Sequence, residues 1–563
     1  MAIEQIADKV FETDLLIIGG GVAGCCAAIK ARDHGLTVTL LEKANPRRSG
    51  SAGMGIDHHG GPFPFDGMDV IKMVEGEAEN SARAGTPQPN LNLRYRLISN
   101  MFWAFEEMEK LGVPMNWDDG KPYWMPQSPM AMDVKNRLRV HWANIKPVLS
   151  REARKRNTNI LERTAAVDLL TNNGRVVGAT AVNIRTGEFV VIKAKATVIS
   201  TGQFMRQYDP STPCPWKYKF KYHFCPASIS GDGYAMGYRA GAELVNMEVT
   251  GQSSRIRDDL TELFGNIPHN DGIPAKCYTW KGDEISILPN SRRYLELEQK
   301  GLTPLYYGFD HLPDDFHKRM DVATADERLV TLKIAQDRDF NRKTHRFELG
   351  ALKSLGHNRI SGLVVDENFK TRVKGLYAIG DSIAGGGGSS GASTMGLLFG
   401  ESIEAIIKET GAPVIGEEQV NSQKKVALAP LSVKHGTEPL ELEVAVRYAC
   451  ERYAGEFKSE GKVREGLRRL GTMKRKGLPR LMAKTPHYLL GCLEARNILE
   501  MAMVDMQAIL ERKETRGVFF RPDYPEKNPD LDGKLIFQRL EHGKPVVELR
   551  ERVDLKPEYK GGN

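Results

Sequence analysis

Glycines follow an apolar run near the start of the chain, in the stretch "LLIIGGGVAG" from Leu15 to Gly24. Gly19, Gly21 and Gly24 have the spacing G-x-G-x-x-G, which allows a tight turn and brings the N–H groups of a following helix close to an anion. Glu42 ends the next apolar run, at about the separation of roughly 20 residues expected for a carboxylate that binds a ribose hydroxyl. Together these residues predict a dinucleotide-binding site.

Such a site needs a strand before the glycines, a helix after them and a second strand that carries the acid. The pattern predicts a helix from about Val22 to His34, ended by Gly35, and a strand over "TVTLLE". Further along, "NLRYRLISNMFWAFEEMEKLG" predicts an amphipathic helix, and the "NNG" and "RTGE" turns divide 165–202 into a β-meander that ends in the buried strand "ATVIST". Residues 411–432 are interpreted as a linker, and 440–512 as helical.

The composition indicates a globular protein of several domains. The chain has 563 residues, of which 41% are hydrophobic and 27% charged, and no apolar run approaches the roughly 18 residues of a membrane helix. The N-terminus lacks the pattern of a signal peptide, so we expect a cytoplasmic protein, with a complex at the membrane surface left open. The seven cysteines show no C-x-x-C spacing, so we expect neither an iron–sulfur cluster nor a structural zinc in this chain.

A second strand-and-glycine unit, "GLYAIGDSIAGGGG", favours a flavin over a nicotinamide cofactor, because a flavin dinucleotide spans the ends of several strands. Asp381 follows the short strand, where its carboxylate could accept a hydrogen bond from the ribityl chain. The glycines at 385–388 would let the backbone approach the isoalloxazine ring.

Three motifs in this order, "DLLIIGGGVAG", "ATVISTG" and "GLYAIGD", resemble the flavoprotein family of succinate dehydrogenase, fumarate reductase and L-aspartate oxidase. The segments "KANPRRSGSAGMG", "CLEARNILEM" and "ERKETRGVFFRPDYP" are most similar to the α subunit of dissimilatory adenylylsulfate reductase. The resemblance implies an α/β fold: a discontinuous, Rossmann-like FAD-binding domain at 1–251 and 349–415, an inserted α+β capping domain at 252–348, a C-terminal helical domain at 436–515 and a C-terminal tail at 516–563.

The resemblance also implies which residues contact FAD. They are Gly19, Gly21, Gly24, Glu42, Lys43, Ser49, Gly50, Gly53, Gly55, Thr201, Gly202, Asp232, Gly380, Asp381, Ser390 and Thr394. Relatives that link the flavin covalently have a histidine where this chain has Gly50, so we expect non-covalent FAD.

The departures from the family bear on the substrate. Ser253 stands where the fumarate and succinate enzymes bind substrate through a histidine, and "GGGGSSGAST" lacks their arginine. Two lost charge-assisted contacts, at roughly 1.5–3 kcal/mol each, argue against a dicarboxylate substrate. Relative to adenylylsulfate reductase, Ser228 replaces a tryptophan and Asn290 lies near the position of an arginine, which puts pocket specificity in doubt.

Two residues match catalytic positions of the family. His357, in "GHNRISGLVV", would hold or deliver a proton, and Arg255, in "QSSRIRD", would stabilise negative charge near the flavin. For the pair His58 and His59 three roles stay open: contact with flavin or substrate, structural packing, and the weaker possibility of metal binding.

The expected function is FAD-dependent two-electron chemistry on a small substrate, in a hetero-oligomer with a ferredoxin-like iron–sulfur subunit that would fit anaerobic metabolism. The first hypothesis is an adenylylsulfate-reductase-like enzyme. The alternatives are a reductase of an activated carbon–carbon double bond that is not a dicarboxylate, and an electron-transfer flavoprotein in a larger complex. The net charge of +7 and the basic stretch "KVREGLRRLGTMKRKGLPRLMAK" suggest a docking face for an acidic partner or a solvated surface, with nucleic acid a distant third.

Overall fold

We describe the fold from a computed structural model. It describes residues 3–53, 55–56, 58–60, 69–83, 85–115, 123–124, 137–139, 144–208, 228–253, 276–285, 296–314, 317–318, 333, 336–337, 339, 341, 343–349, 353–357, 360–517 and 519–560.

The helices within these residues follow chain order. They are α1 Ile3–Ile6, α2 Val22–Asp33, α3 Val70–Arg83, α4 Leu91–Lys110, α5 Ile145–Lys155, α6 Asp232–Arg239, α7 Gly388–Lys408, α8 Glu417–Leu428, α9 Pro439–Ala454, α10 Glu460–Thr472, α11 Pro486–Glu511 and α12 Pro557–Lys560.

The strands are numbered in the same way. They are β1 Lys9–Ile18, β2 Val38–Glu42, β3 His58–Gly60, β4 Tyr123–Trp124, β5 Arg137–Arg139, β6 Asn159–Glu162, β7 Thr164–Asn172, β8 Arg175–Asn183, β9 Phe189–Ile199, β10 Leu244–Val245, β11 Thr250–Ser253, β12 Lys276–Thr279, β13 Glu284–Ile285, β14 Leu305–Gly308, β15 Phe347–Leu349, β16 Lys353–His357, β17 Gly362–Leu363, β18 Leu376–Ala378, β19 Lys534–Glu541 and β20 Lys544–Glu551.

A seven-stranded sheet forms the centre of the molecule, in the order β6-β2-β1-β9-β8-β7, with β18 also paired to β9. Strands β6, β2, β1, β9 and β18 are parallel, so their carboxyl ends meet at one edge of the sheet. Ligands of parallel α/β sheets bind at such an edge. Strands β7, β8 and β9 form the expected antiparallel meander.

Two helices pack unusually closely beside this sheet because of a glycine pair in α7. A Cβ atom on Gly396 would lie 2.4 Å from the Ala23 carbonyl oxygen, and one on Gly400 would lie 2.7 Å from that of Ala27. No side chain fits at either glycine, so α7 lies directly on α2. This contact fixes the glycine-rich start of α7 relative to the start of α2.

Smaller units surround the sheet. Residues between 276 and 349 contribute a four-stranded antiparallel sheet in the order β13-β12-β14-β15. Helices α9, α10 and α11 pack against one another in the C-terminal part. Among the helices that the structure describes, none combines the length and the apolar character that crossing a membrane requires.

One expectation about the chain's organisation was wrong. The stretch 411–432 is not an extended linker, because it contains helix α8, whose Gln423 side chain bonds to the Thr180 hydroxyl and the Leu169 carbonyl of the meander. The C-terminal polar tail is also folded in part: β19 and β20 form a hairpin, and β19 pairs with β10. The domain boundaries themselves stay predictions.

Candidate functional site

The first glycine loop forms a close-packed turn between β1 and α2. Gly19 has φ +109°, and a Cβ atom there would lie 2.5 Å from the Ser200 carbonyl oxygen at the end of β9. A Cβ on Gly24 would lie 2.0 Å from the Gly19 carbonyl oxygen. Only glycine fits at these two positions, and the tight turn directs the backbone N–H groups at the N-terminus of α2 toward the place of a bound anion.

Glu42 ends β2 beside this loop and is 6% exposed. Its Oε2 atom accepts hydrogen bonds from the Gly20 N–H at 2.8 Å and from the Ser49 hydroxyl at 2.9 Å, and Oε1 accepts one from the Ala44 N–H at 2.7 Å. A carboxylate oxygen can accept more than one hydrogen bond, so Glu42 retains capacity for a ribose hydroxyl. It also ties the first loop to the second one at Ser49.

The second loop crosses directly over the first. Gly50 has φ +79°, and a Cβ there would lie 3.3 Å from the Gly21 Cα. Gly55 also has positive φ, and a Cβ on Gly53 would lie 2.1 Å from the Arg48 carbonyl oxygen. The histidine of covalent relatives would have to adopt a left-handed backbone conformation at position 50, which favours glycine.

The end of β9 brings the third motif to the same edge. The Ser200 hydroxyl donates to the Gly19 carbonyl at 2.7 Å, and the Gly202 N–H donates to the Ser382 hydroxyl at 3.1 Å. The buried Thr201 Oγ1 makes no hydrogen bond within the described part of the chain. A buried polar atom left without a partner is costly unless a ligand supplies one.

The fourth motif lies next to these residues. Gly380 has φ +66°, and the Asp381 Oδ1 atom accepts a hydrogen bond from the Gly388 N–H at 3.0 Å, so Asp381 shapes the glycine loop that starts α7. The Ser390 hydroxyl donates to the Gly387 carbonyl at 3.4 Å, and the Thr394 hydroxyl donates to the Ser390 carbonyl at 2.8 Å. The hydroxyls of Ser390 and Thr394 thus bond to their own helix.

Lys43 and Asp232 are both predicted cofactor contacts, and the structure places their side chains against each other. The Lys43 Nζ atom lies 2.6 Å from Asp232 Oδ2, 2.7 Å from Glu494 Oε1 and 2.8 Å from the Ser230 hydroxyl. Asn497 donates to the other Asp232 oxygen at 2.8 Å. A direct role of Lys43 or Asp232 at the cofactor stays a prediction.

This ion-pair cluster continues into the C-terminal helices, which sequence reasoning missed. Arg206 Nη1 lies 2.6 Å from Glu494 Oε2, and the same guanidinium forms a second ion pair with Glu443. Arg447 also binds Glu443, at 3.1 Å. The cluster therefore connects the end of β2 to α9 and α11.

Electrostatics in the cluster favour the charged forms. Burial alone would lower the pKa of Lys43, but the charges of Asp232 and Glu494 outweigh it and raise that pKa. Burial would raise the pKa of Asp232, but Lys43 lowers it below its ordinary value. For Arg206, too, burial is outweighed by Glu494 and Glu443, and the pKa is raised.

Of the two predicted catalytic residues, the structure describes the strand of His357 but not Arg255. β11 pairs with β16 so that Thr250 lies opposite His357 and Ser253 lies opposite Lys353. Ser253 stands where the resemblance implies a substrate-binding histidine. The backbone of its strand therefore lies beside the strand that contains His357. Arg255 and Asn290 lie outside the described residues, and their predicted roles stay predictions.

The histidine pair lies in β3, which pairs with β5. The His59 side chain is fully buried and its ring contacts the Phe105 ring edge-on, with centroids 6.0 Å apart. This contact fits the packing role without excluding the others. Across the described ranges, no group of three or more His, Cys, Asp or Glu side chains could hold a metal ion.

Two models of known protein families match the chain. One describes an FAD binding domain and matches residues 14–250, and the other describes the C-terminal part of fumarate reductase flavoproteins and matches residues 445–556. The first match covers the first two glycine loops, Glu42 and Asp232. Together with the anion-accessible helix start and the unsatisfied Thr201 hydroxyl, it shows that the chain binds FAD.

Relatives of known function extend over nearly the whole chain. A fumarate reductase (CoM/CoB) subunit from Methanothermobacter marburgensis is 23% identical, over 94% of this chain and 98% of that protein. The flavoprotein subunit of a succinate dehydrogenase from Rickettsia bellii is 24% identical, over 92% of this chain and 91% of that protein. The structure of adenylylsulfate reductase from Archaeoglobus fulgidus shares the fold, with a TM-score of 0.80, 22% identity and coverage of 97% of this chain and 96% of that one.

Proposed function

Because the chain belongs to the succinate dehydrogenase and fumarate reductase family of FAD-dependent oxidoreductases, we propose that it is the flavoprotein subunit of an adenylylsulfate-reductase-like enzyme. It exchanges two electrons with a small sulfur-oxyanion substrate and passes them to or from an iron–sulfur partner. When bound, FAD supplies the two-electron chemistry. The residues of the chain bind the cofactor, orient the substrate and handle protons.

The glycine loops and Glu42 hold the dinucleotide part of the cofactor. The close-packed turns and the remaining acceptor capacity of Glu42 support this assignment. Arg255 is assigned to the negative charge that develops on the substrate, because a guanidinium stays protonated throughout the reaction. His357 is assigned to proton transfer, since the ordinary pKa of imidazole lies near working pH. Both assignments rest on motif position.

One observation carries the choice of substrate. The strand pair β11–β16 places Ser253, rather than a histidine, in the ladder that also contains His357. The glycine-rich stretch 385–394, at the start of α7, contains no charged residue. A dicarboxylate would therefore lack two ionic contacts, while a substrate held mainly through a nucleotide does not require them.

Anaerobic titration of the oxidised holoprotein tests this choice. Flavin absorbance is followed after addition of sulfite alone and then of sulfite with AMP. Formation of adenylylsulfate releases two electrons, so we expect a reduced flavin together with one adenylylsulfate per flavin only with both compounds; bleaching by sulfite alone, without this product, is a flavin–sulfite adduct. Absence of adenylylsulfate when both compounds are present would contradict the proposal.

A second candidate is a reductase of an activated carbon–carbon double bond. It is favoured by the full-length relative named as a fumarate reductase subunit, because the alignment spans 94% of this chain. Reoxidation of the reduced flavin by a panel of enoates, in the absence of any response to adenylylsulfate, would support this candidate.

The partner is proposed to dock on the basic segment 462–484. Nine exposed lysine or arginine residues and a single acidic one lie in this segment, a positive excess larger than the net charge of the whole chain, +7. Glu460 and Glu465 neutralise part of it, with ion pairs to Arg464 at 2.7 Å and to Arg468 at 2.7 Å. The remaining cations suit an acidic ferredoxin-like protein.

Neutralisation tests the docking face. Replacing Lys474, Arg475 and Lys476 with glutamine should weaken binding to an acidic two-cluster ferredoxin and reduce the salt dependence of the association rate. Neutralising three exposed lysines elsewhere should leave both unchanged; these are Lys408, Lys527 and Lys544. An equal effect of both triple variants would reject the segment as the docking face.

A further inference from the structure

A lysine lies fully buried beneath the first glycine loop. Lys146 is in the first turn of α5 and is 0% exposed. Its Nζ atom lies 2.5 Å from the Gly20 carbonyl oxygen and 3.3 Å from the Cys25 sulfur atom. Gly20 belongs to the dinucleotide loop and Cys25 to the first turns of α2, so the ammonium group lies at the base of the loop.

Two other buried cations have carboxylate partners. Lys43 binds Asp232 and Glu494, and Arg512 binds Glu248 and Glu514. Within the part of the chain that the structure describes, Lys146 makes no ion pair. Its hydrogen-bond partners are a neutral carbonyl and a thiol, which do not balance a charge.

The position makes this lack of balance more costly. The N-terminus of a helix carries a positive partial charge, so a cation beside the start of α2 is repelled rather than stabilised. A buried ammonium without a counter-charge also loses its hydration. An anion bound at the same helix start would offset both effects, and FAD has a diphosphate group.

We propose that Lys146 is a positioning residue of the FAD site: it fixes the Gly20 carbonyl and balances the diphosphate charge from behind the loop. The proposal depends on FAD binding and not on the choice of substrate. It predicts that the lysine destabilises the protein without FAD and stabilises the complex with FAD. A residue needed only for packing would stabilise both forms.

The test uses the full chain with FAD removed and then restored. Lys146→Met keeps the length of the side chain and removes its charge. We expect its Kd for FAD, from quenching of flavin fluorescence, to be at least tenfold higher than that of the wild type. Its apo form should be as stable to urea as the wild-type apo form, or more stable. Lys146→Arg should recover most of the affinity.

Lys30→Met is the matched control. Lys30 lies on α2 and forms an ion pair with Glu107 at 2.7 Å, so the same substitution should destabilise both forms and leave the Kd for FAD unchanged. An unchanged Kd in Lys146→Met, or an equal loss of stability in its apo and FAD-bound forms, would overturn the proposal.

A second variant covers the case in which Lys146→Met does not fold. Cys25→Ala removes the thiol and leaves the lysine. We expect this variant to bind FAD as the wild type does. A gain of affinity of tenfold or more would assign the counter-charge of Lys146 to a Cys25 thiolate and would also overturn the proposal.

Discussion

Glu494 joins the FAD-binding part of the chain to the C-terminal helices, and its neutralisation should be strongly destabilising. Its two carboxylate oxygens accept hydrogen bonds from Lys43 at 2.7 Å and from Arg206 at 2.6 Å. The side chain is only 7% exposed, so little solvent screens these charges. Glu494→Gln keeps the size of the side chain and removes its negative charge.

The magnitude follows from the balance of charges in the cluster. Three cations, Lys43, Arg206 and Arg447, face three anions, Asp232, Glu443 and Glu494. Neutralising Glu494 removes the carboxylate that Lys43 and Arg206 share and leaves these named groups with one positive charge in excess. Breaking a buried pair in this way costs about 3–5 kcal/mol. We expect a loss of that size in the free energy of unfolding of the helical region.

Urea unfolding followed by far-UV circular dichroism measures this loss. Tryptophan fluorescence would not report on it directly, because residues 436–515 contain no tryptophan. The urea midpoint should fall while the slope of the transition stays the same. Glu465→Gln is the matched control: Glu465 also accepts from two cations, Arg468 and Arg469, but at an exposed site, and its loss should leave the midpoint unchanged. Equal midpoints for the Glu494 variant and the wild type would refute the reasoning.

Further predictions concern the cofactor and pH. Gly24→Ala should yield protein without FAD, because its Cβ atom would lie 2.0 Å from a loop carbonyl oxygen. Gly76 has open space around it, so Gly76→Ala should keep the cofactor. Flavin absorbance after purification distinguishes the two results. Acid precipitation should release all the flavin into the supernatant, and a yellow pellet would disprove non-covalent binding. Lys43 lowers the pKa of Asp232 despite burial, so the carboxylate contributes stability above a pH of about 4, and this stability is lost as the pH falls through the lowered pKa. Asp232→Asn should therefore flatten the acid side of the stability profile in urea titrations from pH 3 to 7. An unchanged slope would count against the ion pair. His357→Ala should retain FAD and slow turnover by roughly 100-fold, and undiminished turnover would remove His357 from the catalytic residues.

The parts of the fold that local sequence signals determine could be predicted. The helix predicted from about Val22 to His34 spans Val22–Asp33, because apolar residues, a glycine turn before it and Gly35 after it all indicate the same bounds. The meander followed from two turn signals and alternating apolar residues. The glycine motifs meet at one sheet edge because each follows a strand of the same parallel set.

The error over 411–432 has a physical cause as well. Helix α8 buries only Val420 and Ala427 and attaches to the meander mainly through the amides of Gln419 and Gln423, so hydrophobic periodicity does not reveal it. The β19–β20 hairpin did have a signal: alternating residues flank a His-Gly turn in which both φ angles are positive.

The ion-pair cluster and Lys146 could not be predicted in the same way. Lys43 and Glu494 are far apart in sequence, and nothing near either residue indicates that they meet. Lys146 lies in an ordinary amphipathic stretch, where a lysine is expected on the exposed side. The close contact of α7 with α2 could have been found, because Gly396 and Gly400 have G-x-x-x-G spacing and the α2 sequence "VAGCCAA" consists of small residues.

The proposed function requires that the flavin exchange electrons with a sulfur oxyanion carried on a nucleotide. The most direct test is anaerobic reoxidation of the photoreduced holoprotein by adenylylsulfate and, separately, by fumarate, with flavin absorbance and products measured together. We predict that adenylylsulfate restores the oxidised spectrum with release of one AMP and one sulfite for each flavin, and that fumarate does not. Reoxidation by fumarate, or a reduced spectrum that adenylylsulfate leaves unchanged, would contradict the account.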